Sequence, residues 1–327
     1  MNCMQQLVFN ISFVVLVLIT GFSCSSSKQT QSETREESEP PAQTIVPDTF
    51  VLPLIPETLT SSGDRSKYLV MHFWDRFDFA DIKLIERPEV TEQAFVDYIN
   101  ILNYVPRDNA TESLLYTLDK AKADRVMYRH FVSLFEKYFY DPNSPFRNEE
   151  YYLPVLREVI QSPLLTDELL SRYMFQLEMT MKNRVGQRAS DFTYTLASGQ
   201  SLTLHNLSSE FTLLIFSNPG CPTCEAVTAH LNNSKSLNKA LQLNSPTRTM
   251  LTILTIYPDE DIEEWIAHLP LMPDRWVHGY DQKMEITHKK LYDIKAIPTL
   301  YLLDKDKNVI LKDTSIEAVE SFFSVNR

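Results

Sequence analysis

Two thiols stand three positions apart, Cys221 and Cys224, with Pro222 and Thr223 between them and the turn residues Asn218, Pro219 and Gly220 just ahead. The preceding run Leu213-Leu214-Ile215-Phe216 reads as a buried strand, and Pro222 suits the first position of a helix, where its missing N–H costs nothing. A strand that delivers two cysteines to the first turn of a helix aims free backbone N–H groups at the first sulfur. That arrangement favours the thiolate, the reactive form of cysteine. Cys221 is therefore the candidate nucleophile. Cys224, one turn on and closer to the core, is the candidate resolving thiol, placed to attack a mixed disulfide and release what Cys221 has captured.

Other chemistries of paired cysteines find less support. Zinc needs a second Cys or His pair at ligand spacing, and His72, His130, His205, His230, His268, His278 and His288 provide none. A copper-handling site, two thiolates with a distant imidazole, is an alternative reading, although His230, the imidazole nearest in sequence, reads as a surface helix residue. A thiol peroxidase needs Thr-x-x-Cys, and Thr223 is followed three residues on by Ala226. No metal is expected on that cysteine and histidine spacing and no cofactor either, nucleotides being disfavoured because the six glycines fall at no phosphate-loop or dinucleotide spacing. With 31 basic against 43 acidic residues, a net charge of −12 and no Lys/Arg block, the chain lacks the basic face that nucleic acid requires.

The first 23 residues read as an address. Leu7 to Thr20 is an apolar run of signal-peptide length, short for a membrane span. Gly21-Phe22-Ser23-Cys24 after it resembles the lipobox of bacterial lipoproteins, which implies acylation of Cys24 and a place on a periplasm-facing membrane of the bacterial cell envelope. Met1 to Gln6 lacks the usual positive charge and Phe22 is bulky for its position, so an ordinary secretory signal or an uncleaved anchor stays open. If the leader takes Cys3 away and Cys24 is acylated, the free thiols are Cys221 and Cys224. A loop that short constrains little of the unfolded chain, so the pair is expected to serve chemistry rather than stapling.

Residues 24–62 read as a tether broken by five prolines, with one adhesive segment around Phe50 to Ile55. Residues 63–184 carry the helical period. Phe95, Tyr98, Ile99 and Leu102 form one stripe, and Phe131, Leu134, Phe135 and Tyr138 form another. Stop and start signals predict helices at 65–80, 91–105, 110–141, 148–162 and 166–183, with a capping box at Asn109 and Glu112. From 185 the period changes. A hairpin over 191–204 is followed by strand 211–217, helix 222–241, strand 249–257, helix 261–268, strand 275–279, helix 284–293, strands 299–303 and 308–312, and helix 315–323. The expected fold is an all-α domain followed by an α/β domain with a mixed sheet flanked by helices.

A second motif sits before the strand at 299, Ala296-Ile297-Pro298-Thr299. Together with Cys-Pro-Thr-Cys, the opening Gly186-Gln187-Arg188-Ala189-Ser190-Asp191-Phe192 and the added helix and strand before Tyr280, it makes residues 186–327 resemble thioredoxin-like modules of the TlpA/ResA type. The resemblance spans about two fifths of the chain. It implies a thiol–disulfide oxidoreductase in which Pro298 is cis and Ile297 offers backbone hydrogen bonds to an extended substrate. It also implies cysteine-containing exported proteins as substrates and an upstream thiol–disulfide partner for electrons. More weakly, Tyr68 to Phe79 resembles a helical domain of unknown function that precedes such modules in lipoproteins of Gram-negative bacteria, which implies architecture and no activity.

The sequence departs from that pattern where proton transfer is concerned. Thioredoxins carry a buried acid where Ile215 stands, and the TlpA type carries a glutamate where Val227 stands. Glu225 is the acid nearest the motif in sequence. Proline directly after the first cysteine resembles glutaredoxin and DsbA-type motifs, so the direction of electron flow is open, with reduction preferred. The competing reading is a binding or scaffold lipoprotein in which the thioredoxin-like module is structural.

Overall fold

The computed structural model describes residues 49–325, which belong to one compact unit. The leader, Cys24 and the tether up to residue 48 lie outside the described residues. Among the described residues no helix is long and apolar enough to cross a membrane.

The helical region runs α1 (Ser62–His72), α2 (Glu92–Ile101), α3 (Arg107–Ala121), α4 (Arg125–Phe139), α5 (Glu149–Val159) and α6 (Asp167–Thr180), with 3₁₀ turns at Ile82–Glu86 and Leu102–Tyr104. Both predicted stripes meet in one apolar core, where Phe95, Tyr98, Ile99, Leu102, Phe131, Leu134 and Phe135 are buried and Tyr138 packs at the edge. The adhesive part of the tether reduces to Phe50, whose ring stacks on Phe73 at 4.9 Å and meets Trp74 edge-on at 5.3 Å, while Leu54 stays exposed.

Three expectations for the helical region are corrected. The helix predicted over 65–80 ends at His72, because Phe73, Trp74, Phe77 and Phe79 are all buried and no single helical face presents all four. The helix predicted over 110–141 is two helices, since the Asp124 carboxylate accepts from the N–H groups of Val126 (2.6 Å) and Met127 (3.1 Å) and starts α4 afresh. The capping box at Asn109 does not form, because α3 already begins at Arg107 behind Pro106.

The remaining elements are β1 (Thr193–Leu196), β2 (Ser201–Thr203), β3 (Phe211–Phe216), α7 (Pro222–Asn233), α8 (Lys235–Gln242), β4 (Leu251–Tyr257), α9 (Ile262–His268), β5 (Val277–Tyr280), α10 (Glu285–His288), β6 (Thr299–Leu303), β7 (Val309–Leu311) and α11 (Ile316–Val325). The helix predicted over 222–241 breaks at Ser234, whose backbone is extended, and that predicted over 284–293 shrinks to α10. The strands form one mixed sheet in the order β2-β1-β5-β4-β3-β6-β7, with β3, β4 and β5 parallel and the other neighbours antiparallel.

Strand periodicity divides the apolar residues between two faces. Leu214, Phe216, Leu254, Ile256, Tyr301 and Leu303 pack with Phe192, Ile286 and Tyr292 on one side. Leu213, Ile215, Leu251, Ile253, Leu300 and Leu302 pack on the other under α7, α8 and α11, through Leu231, Leu237, Ala240 and Val319. Each large apolar side chain taken fully out of water contributes about 1.5–3 kcal/mol, so β3, covered on both faces, is a rigid base for the loop that follows it. On β5, Gly279 is required by close approach, since a Cβ there would lie 2.6 Å from the Tyr194 ring.

Candidate functional site

Register builds the site. Phe216, the last residue of β3, pairs with Thr299, the first of β6, so the turn leaving β3 and the segment entering β6 emerge side by side at one end of these strands. The first carries Ser217-Asn218-Pro219-Gly220-Cys221 and the second Ala296-Ile297-Pro298. Gly220 has φ +67°, a conformation that costs other residues, and this turn swings Cys221 to the head of α7. The peptide Ile297–Pro298 is cis, as the resemblance implies.

Cys221 is the N-cap residue of α7. Its Sγ accepts the backbone N–H of Cys224 at 3.4 Å and lies 3.8 Å from the carbonyl oxygen of Ile297. The sulfur therefore sits where a helix N-terminus offers positive charge, half-exposed, against the backbone that precedes Pro298. Cys224 is buried beneath it. Burial and the neighbouring Cys221 push the Cys224 thiol up to about 11, against weaker downward pulls from hydrogen bonds to the Asn218 backbone and the Ser217 side chain. The two cysteines are thus unlike: one is reachable, the other is kept protonated.

The structure brings Cys221, Cys224, Ile297 and Pro298 together, the last two half-buried. Ile215 and Val227 both face the apolar layer under α7, so no carboxylate occupies either position where one was looked for. Glu225 is exposed on α7. What the sequence reading missed lies behind Cys224: a cavity of about 410 Å³ lined by Cys224, Ser217, Glu225, Thr228 and, from the end of α9, His268. Its wall is mixed, with Leu271, Met272 and Pro273 beside these polar groups. Asp261 caps α9 by accepting the Glu264 N–H at 3.0 Å, and the Glu264 carboxylate lies within 3.5 Å of where a Cβ on Gly220 would be. Among the described residues no group of three or more His, Cys, Asp or Glu is arranged to hold a metal ion.

Comparison with known proteins places these features in context. Residues 23–183 match the model of a domain of unknown function, DUF5106, and residues 209–309 match a model described as thioredoxin-like. The chain is similar to the crystal structure of a thioredoxin-like protein from Bacteroides caccae, with 43% identity and a TM-score of 0.81, covering 85% of this chain and 99% of that one. It is also similar to the C-terminal domain of an uncharacterized protein from Bacteroides fragilis, at 43% identity and a TM-score of 0.41 over 43% of this chain and 98% of that one. No curated protein matches.

Proposed function

The chain belongs to the thioredoxin-like family, carrying an N-terminal DUF5106 domain, and from that premise we propose that it is a thiol–disulfide oxidoreductase working through Cys221 and Cys224. One observation supports this most: the Cys221 sulfur caps a helix N-terminus, accepts a backbone N–H, and faces the Ile297 carbonyl beside cis-Pro298.

The Cys221 thiolate attacks one sulfur of a substrate disulfide. That S–S bond breaks, its electron pair leaves on the other substrate sulfur, which takes up a proton, and a mixed disulfide to Cys221 remains. Cys224 then gives up its proton toward the cavity behind it and attacks the Cys221 sulfur, and the second substrate thiol departs. The substrate has gained two electrons and two protons, and Cys221 and Cys224 are joined. A second thiol–disulfide protein must return two electrons before the next cycle. Ile297 and Pro298 hold an extended substrate segment through backbone groups.

The lipobox-like segment ending at Cys24 supports a membrane-tethered protein facing the periplasm, with cysteine-containing exported proteins as substrates. The expected result is that Cys221→Ser abolishes insulin reduction, while Cys224→Ser accumulates a mixed disulfide that dithiothreitol releases. Full turnover by Cys221→Ser would refute the assignment.

A further inference from the structure

The segment that presents Ile297 and Pro298 is gripped from outside its own domain. Glu149 opens α5 of the helical region, and its two carboxylate oxygens each take a different lysine: Oε1 holds Lys295 Nζ at 2.5 Å and Oε2 holds Lys312 Nζ at 2.7 Å. Lys295 lies two residues before Ile297, and Lys312 follows β7. The two lysines flank the site, because the next stretch, at Thr314, donates its N–H to the carbonyl of Leu300, two residues past Pro298. One carboxylate of the helical domain thus ties together both chain segments that border the cis-proline.

The surroundings reinforce the tie. Lys295 also reaches Asp293 (3.2 Å) and Asp313 (3.3 Å), and its ammonium lies 4.5 Å from the centre of the Tyr140 ring. The Tyr140 hydroxyl donates to Asp293 at 3.0 Å, and Arg147 reaches Asp313 through both its carboxylate and its carbonyl. Lys312 donates to the carbonyls of Thr180 and Lys182 at the end of α6. The cationic groups of Lys295, Lys312 and Arg147 thus meet the carboxylates of Glu149, Asp293 and Asp313 in a cluster where the Lys295 side chain is 5% exposed. A buried, fully paired cluster of this kind is costly to leave half-made, which gives it one geometry.

We infer that Glu149 is a positioning residue for the dithiol site, and that the helical domain acts by fixing the Ile297–Pro298 wall against which a protein substrate lies. The inference rests on the proposed thiol–disulfide exchange for its consequence, though the tie itself is independent of that chemistry. A small thiol reagent needs only Cys221, whereas an extended polypeptide needs the wall as well.

The test uses the full chain and its Glu149→Gln variant. Insulin reduction should fall about tenfold in kcat/KM, carried by KM, while the rate of Cys221 alkylation by iodoacetamide stays within about twofold. Amide hydrogen exchange over 294–300 should quicken about tenfold. Tyr140→Phe, which removes one hydroxyl and keeps the ring under Lys295, should quicken exchange over the same segment, and it carries the test if Glu149→Gln fails to fold. Unchanged exchange over 294–300 in the folded variants would overturn the inference, as would equal loss of insulin reduction and iodoacetamide reactivity. If the parent chain reduces no insulin, the oxidoreductase reading fails by itself, and the exchange measurement still decides the tie.

Discussion

Cys221 and Cys224 share a helix turn yet differ in what surrounds each sulfur. The first accepts an N–H and meets solvent, and the second is buried and held to about 11. Burial is the largest cause of that rise and persists when Cys221 is tied up in a mixed disulfide, so little of Cys224 is thiolate at neutral pH and resolution should be the pH-sensitive step. The thiol is raised, so the reactive form grows as pH rises. Release of thionitrobenzoate from its mixed disulfide with Cys221 should therefore climb about tenfold per unit from pH 7 to 9 without levelling. A plateau near 8.5, the value of an unperturbed thiol, would show that Cys224 is not held as the structure holds it. The proton has no carboxylate at Ile215 or Val227 to receive it, which leaves the cavity bearing Ser217, Glu225 and His268 as its way out.

Elements place these residues, and the clearest contrast between prediction and structure lies here. The single helix expected over 110–141 is cut by Asp124, so Asp124→Ala should lower stability by about 1 kcal/mol through loss of the α4 cap, read as a drop in thermal melting. A variant as stable as the parent would mean that packing alone begins α4. The thioredoxin-like half was legible because its signals are local: alternating apolar strands, a proline at the head of α7, and Ile-Pro-Thr before β6. The helical half was legible in its apolar stripes and not in its breaks: Phe73 to Phe79 obey contacts that form only once the core closes, whereas the Asp124 cap is a local signal hidden inside a long run of helical period. Of the site, the two thiols could be read from spacing, and Ile297 and Pro298 from the family resemblance that their motif carries. Glu149, Tyr140 and Arg147 could not, because on the sequence they are ordinary helix-end residues more than a hundred positions from the segment they hold.

The molecule as a whole is bound at that contact by charge rather than by a continuous apolar core. Burial pushes the Glu149 carboxyl up, but the ammonium groups of Lys295 and Lys312 outweigh it and hold the carboxyl below its ordinary 4.5. Burial likewise pulls Lys295 down, and Glu149, Asp313 and Asp293 outweigh it, so that ammonium is raised above 10.5. A depressed carboxyl stabilises fully above its unfolded value and is lost as pH falls through its folded one. A raised lysine stabilises fully below its unfolded value and is lost as pH rises through its folded one. The cluster therefore works between about pH 4.5 and 10.5. Urea unfolding from pH 6 down to 3 should weaken the parent more steeply than Glu149→Gln, and parallel curves would contradict this contribution. All of this serves one claim, that the dithiol exchanges electrons with other proteins. Its most direct test is a thiol-trapping redox titration of the full chain in graded dithiothreitol and glutathione buffers, with Cys221→Ser as control. The account predicts a reversible two-electron transition between roughly −270 and −120 mV, whereas a pair that stays oxidised below about −300 mV would be a structural disulfide and would contradict it.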